Sequence, residues 1–188
     1  MTIHSSTRRL APYLFVVCVL ACRSATIANI EVDGADRVTV EEGTVLEEVL
    51  GELGFEGFAQ MNVVASEELQ NQDVQPGDIS SVQLVSFELE AEEPANGDLS
   101  FFETFAVYVE APGLEPVLVA DAMEFPEGEP VVSFDVYDVD LTDYVVSESM
   151  TLSTDIVAGR PTEETVVKAS YLLDVGVTLQ GAKNRACN

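Results

Sequence analysis

Tryptophan is absent from this chain of 188 residues, histidine occurs once, at His4, and lysine twice, at Lys168 and Lys183. Without a histidine beyond position 4, the rest of the chain has no Ser-His-Asp or Cys-His machinery and lacks the commonest transition-metal ligand. Zinc-ligand spacings, glycine-rich phosphate loops and dinucleotide fingerprints are missing too. Aromatic residues make up 7%, little for a sugar site, which needs flat stacking surfaces. Basic residues number eight against 34 acids, giving a formal net charge of -26. Beyond the amino-terminal segment the basic positions are Arg23, Arg37, Arg160, Lys168, Lys183 and Arg185, too scattered to form a stripe. Nucleic acid is therefore excluded as a partner, and the same field resists insertion into an anionic lipid surface.

Hydrophobic residues amount to 47%, so the acidity does not signal disorder, and the length suits one domain with one core. The first 21 residues divide as an export leader does: a polar start with Arg8-Arg9, an apolar run from Leu10 to Leu20, then Ala21 before Cys22. That run is about a dozen residues, where a membrane-spanning helix needs about 20, so it reads as a cleavable signal peptide. Val19-Leu20-Ala21-Cys22 resembles the bacterial lipobox, although Leu20 stands where that pattern has a small residue. The resemblance implies lipidation of Cys22, and Val19 with Ala21 also meets the small-residue rule of ordinary signal peptidase. Cys18 leaves with the leader. A lipidated Cys22 leaves Cys187 as a free thiol, whereas an unlipidated one is able to pair with Cys187 in an oxidising compartment.

Residues 22–29 read as a tether, 30–180 as the folded domain and 181–188 as a tail. Period 2 dominates the domain. From Val167 to Leu179 every second residue is apolar, while Lys168, Ser170, Asp174 and Thr178 occupy most of the other face. Val85-Phe87-Leu89, Phe105-Val107-Val109, Val117-Val119 and Val132-Phe134-Val136 repeat the pattern, Leu152 and Ile156 mark another strand, and Ile30-Val32 and Val38-Val40 flank an Asp33-Gly34 turn. Pro76-Gly77, Pro94 to Gly97, Pro112-Gly113, Pro126 to Pro130 and Gly159 to Pro161 punctuate these runs. About eight one-sided strands predict an all-β, antiparallel β-sandwich, because each sheet must cover its apolar side. Thr44-Val45-Leu46-Glu47 has capping-box spacing and opens one short helix, with Val45, Leu46, Val49, Leu50 and Leu53 on one face, that caps the sandwich. A briefer helical turn is expected from Ser66 to Gln72.

The stretch Gly97 to Ala120, with Asp98-Leu99-Ser100-Phe101-Phe102 and Val107-Tyr108-Val109-Glu110-Ala111-Pro112-Gly113-Leu114, resembles uncharacterised bacterial envelope lipoproteins with β-sandwich domains. The likeness covers about residues 75 to 180 and implies a fold and a location, with no activity. Arg23 stands where an acidic residue retains some lipoproteins at the inner membrane, so the resemblance implies an outer-membrane lipoprotein, the alternative being a secreted or periplasmic protein.

Asp135, Asp138, Asp140 and Asp143 form the sharpest cluster of hard oxygen ligands, a calcium candidate if they converge at a strand end. Their alternation with Phe134, Val136, Val139 and Leu141 equally describes a solvated edge, which also discourages sheet-to-sheet aggregation. The expectation is a non-enzymatic, acidic, lipid-anchored envelope module that binds an unidentified protein, with no catalytic residue and no cofactor. A calcium-dependent adhesion module and a carboxylate-dependent hydrolase are the alternatives, the latter requiring two nearby buried acids.

Overall fold

A computed structural model describes residues 26–44, 62–147 and 150–178, the side chain of Ile27 excepted. The fold is all-β: eight strands in two antiparallel four-stranded sheets, with two short helices among the described residues. Sheet one contains β1 (Thr26–Val40), β8 (Thr165–Thr178), β2 (Ile79–Glu93) and β5 (Val131–Ser133), in that spatial order. Sheet two runs β6 (Asp135–Val136), β4 (Val117–Ala122), β3 (Phe102–Glu110), β7 (Thr151–Ala158). The helices are α1 (Glu67–Gln70), capped by the Ser66 hydroxyl, which accepts from the Leu69 amide, and α2 (Thr142–Val145). Neither is long and apolar enough to cross a membrane.

The alternating run that begins at Val167 is the central strand of sheet one, with Val167, Ala169, Leu173, Val175 and Val177 facing the other sheet, all buried. Phe87, Leu89 and Val82 of the neighbouring β2 bury beside them, and Phe105, Val107 and Val109 answer from β3 of sheet two, each at most 2% exposed. Fully burying a side chain of this kind stabilises by about 1.5–3 kcal/mol, which is why two one-sided sheets close on each other. Between β3 and β4, Gly113 takes a φ of 82° after Pro112, and the Leu114 amide donates to the Ala111 carbonyl at 3.1 Å. That left-handed position following proline is the reason for the Pro-Gly pair.

Four expectations are corrected. The Asp33-Gly34 pair makes no turn: β1 is one continuous 15-residue strand registered against β8 from Thr26 to Val40. Gly34 lies opposite Tyr171, and a Cβ built on Gly34 would collide with the hydroxyl end of the tyrosine ring, at Oη, Cζ and Cε1, so the glycine is there for a close approach. The same strand absorbs residues 26–29, expected as tether. Val85 does not share a face with Phe87 and Leu89: a bulge between Leu84 and Ser86 turns it to solvent, where it is 52% exposed. Val132-Phe134-Val136 is not one strand, because the chain leaves sheet one after Ser133 and joins sheet two at Asp135. Phe134 pins that switch, its ring 4.9 Å from Phe87 of sheet one and 5.4 Å from Phe105 of sheet two, both edge to face. The leader, Cys22, Cys187, Leu179 and the helix expected from Val45 to Leu53 lie outside the described residues.

Candidate functional sites

The four aspartates proposed as calcium ligands are not brought together. All are exposed. Asp135 sits on β6 opposite Asp121, and Asp138 Oδ1 accepts from Gln83 Nε2 at 2.7 Å, on the side of sheet one. Asp140 Oδ1 accepts from the Thr142 amide at 3.0 Å and its hydroxyl at 2.5 Å just ahead of α2, and these bonds hold its carboxyl below the usual carboxylate range. Asp143 lies in the first turn of that helix. After β6 the chain turns back to β2, where the Leu141 amide donates to the Val82 carbonyl at 2.8 Å, and this leaves Asp135 on sheet two and Asp138 beside Gln83. Among the described residues no group of three or more His, Cys, Asp or Glu side chains converges as metal ligands.

A cleft of about 450 Å3 opens at the end of the sandwich where Thr165 of β8 meets Val40 of β1. Asp98, Ser100, Glu103, Glu127, Arg160 and Glu163 line it. Its floor is set by Asp98, which accepts from the Ser100 amide at 2.9 Å, the Ser100 hydroxyl at 2.6 Å and the Gly128 amide at 2.7 Å. These bonds, the Ser100 hydroxyl foremost, hold the Asp98 carboxyl below its ordinary value. An acid kept ionised in this way cannot serve as a proton donor at neutral pH; it is an acceptor already in use. Glu103, Glu127 and Glu163 are exposed. The one carboxylate buried among the described residues is Asp78, elsewhere, where it accepts from the Gln75 amide at 3.2 Å in a local cap. Arg160, exposed on the rim, has no ion pair among the described residues.

Both sheets are acidic, and their strand cations lie on sheet one alone. On sheet one, Arg37 of β1 and Lys168 of β8 are partners in register, and both reach acids of β2: Arg37 grips Glu92 with Nε at 2.5 Å and Nη2 at 2.8 Å, while Lys168 Nζ lies 3.1 Å from Glu90 and 3.9 Å from Glu92. The paired guanidinium lowers the Glu92 carboxyl from its ordinary value. Sheet two has no lysine or arginine on any of its four strands. Its register instead lines up Asp155, Ala106, Asp121 and Asp135 across β7, β3, β4 and β6. Beside that row, Tyr108 lies between Ser153 and Leu118, and Tyr137 follows β6, its amide donating to the Val119 carbonyl at 2.9 Å. The Tyr137 hydroxyl donates to Asp121 Oδ2 at 3.2 Å, and its acidity is weakened by partial burial and then by the Asp121 charge. Tyr137 is 42% exposed, Val157 45% and Met123 65%. No contiguous motif marks this face, because its residues come from four strands and meet only through register.

No protein-family model matches the chain, and no curated protein is significantly similar to it.

Proposed function

We propose that this chain is a non-enzymatic binding module of a bacterial cell envelope, anchored by lipid on Cys22 and presenting its acidic sandwich to a protein partner. The observation that carries the reading is the position of Thr26. It opens β1 only four residues after Cys22, paired with Thr178, so an anchored chain would hold this end of the sandwich against the membrane. The 15 residues of β1 then run the length of the domain, about 45–50 Å at the usual strand rise, to Val40 beside the cleft. The cleft and the flank of sheet two therefore stand away from the lipid. Strong negative charge suits that geometry, since it keeps the domain off an anionic surface and soluble beyond it. The ionised, fully engaged Asp98 and the exposed acids around it favour binding over acid catalysis.

Metabolic labelling with a clickable fatty acid in a bacterial host tests the anchor. The wild-type chain should take up label and Cys22→Ala should not. Unlabelled wild type, or a labelled Cys22→Ala chain, sinks the proposal.

A further inference from the structure

We infer that the outer face of sheet two is a docking surface for a lysine- and arginine-bearing protein segment, read by Tyr108 and Tyr137 between the carboxylates of Asp155, Asp121 and Asp135. The inference rests on the binding-module reading but not on the lipid anchor.

Charge complementarity names the occupant. Sheet one sets Arg37 and Lys168 against Glu90 and Glu92 and leaves Glu31, Asp33, Glu88 and Asp174 without a cation among the described residues, whereas sheet two carries Glu103, Glu110, Asp121, Asp135 and Asp155 with no cation on its strands at all. Hydroxyls take up some of that oxygen: Ser153 donates to Glu110 and Tyr137 to Asp121. Hydroxyls leave the negative charge in place. Adjacent strands lie about 4.8 Å apart, so Asp155 and Asp121 flank Ala106 at about 10 Å, with one methyl between them. That trough admits the stem of a long basic side chain, which buries its methylenes while its head stays polar. The tyrosines one pair further along add the electron-rich ring faces that attract ammonium and guanidinium groups. Val157 and Met123 extend the surface with exposed apolar area, which a second copy of this chain, equally acidic, is ill suited to cover.

The test uses the full chain carrying Cys22→Ala, so that acylation plays no part, titrated with an unstructured Lys-Ser repeat peptide and followed by amide shift mapping. Shifts should cluster at Ala106, Tyr108, Asp121, Asp135 and Tyr137. Tyr108→Ser with Tyr137→Ser, which leaves charge unchanged, should weaken binding by about fivefold to thirtyfold, and the Tyr→Phe pair should stay within about twofold of the parent. Asp135→Asn with Asp155→Asn should weaken binding more than the charge-matched pair Glu41→Gln with Glu42→Gln in the exposed turn after β1. Serine variants that bind as tightly as the parent, equal losses from the two charge-matched pairs, or shifts centred on sheet one or the cleft would each overturn the inference. If the serine pair fails to fold, the charge-matched comparison still decides.

Discussion

Replacing Gly34 by alanine sets two effects of opposite sign against each other. The residue is not among the glycines with positive φ, so its backbone accepts alanine, and shortening the list of unfolded conformations would by itself stabilise by about 0.4–1 kcal/mol. Against this stands the Tyr171 ring, whose Oη, Cζ and Cε1 occupy the space the new methyl needs. Gly34 belongs to the inward row of β1 that includes buried Ile30 and Val32, and the ring fills the width a side chain would otherwise take. Overpacking of this kind costs about 1–3 kcal/mol, so Gly34→Ala should destabilise by about 1–2 kcal/mol net. In a Tyr171→Val background the obstruction is gone and the same change should stabilise by about 0.4–1 kcal/mol. The coupling between the two sites should reach at least about 1.5 kcal/mol in a double-mutant cycle. Urea unfolding followed by far-ultraviolet circular dichroism measures all four stabilities, and an unchanged denaturant slope checks that the comparison is fair. An effect of Gly34→Ala that agrees within about 0.5 kcal/mol in the two backgrounds would show that the ring does not explain this glycine.

Phe134→Ala should be among the costliest single changes, about 3–5 kcal/mol, because it empties the joint between the sheets; the melting temperature should fall by about 6–20 °C, while Val131→Ala, three residues earlier and 43% exposed, should stay within about 0.5 kcal/mol. Equal effects at the two positions would refute the sheet switch. For Asp98, a folded carboxyl held below its unfolded value contributes stability that is fully present above about pH 4 and is lost as pH falls through the lower folded value. Asp98→Asn should therefore cost about 1 kcal/mol at pH 7, and the gap between wild type and variant should shrink below about pH 4. A gap that stays constant down to about pH 2 would mean that the three hydrogen bonds do not favour the ionised form.

Strand content was legible because burial on one face leaves a period-2 signature, and β8 carries it almost without interruption. The buried face of each strand was legible for β3 and β8 and misread for part of β2, since a bulge adds one residue without changing the alternating appearance of Val85-Phe87-Leu89. Asp33-Gly34 reads as a turn by local chemistry; only the partner strand reveals that Tyr171 occupies the missing side chain's place. The run around Phe134 looks like one strand because both halves obey the same alternation, and nothing local shows that they belong to different sheets. Proximity in sequence likewise misled at the four aspartates: Asp135 sits on β6 of sheet two, Asp138 reaches back to Gln83 of β2, and Asp140 and Asp143 lie at the start of α2, so each change of direction sends the next carboxylate elsewhere.

The same geometry that scatters the sequence cluster assembles another one. Asp155, Asp121 and Asp135 are far apart in the chain, yet β7, β4 and β6 place them in a single row, with Ala106 of β3 leaving a gap between the first two. Their mutual repulsion is not needed for the fold, whose core lies on the opposite face of the sheet. Nor does the chain neutralise them as it does Glu90 and Glu92, although one lysine on β3 or β7 would suffice. A solvated edge explains charge in general, and sheet one too leaves Glu31, Asp33 and Asp174 without a cation among the described residues and gives Glu88 a serine hydroxyl; what sets sheet two apart is that no strand cation sits on it while exposed tyrosine, valine and methionine border its acids. A basic partner would supply the cations that the strands of sheet two lack.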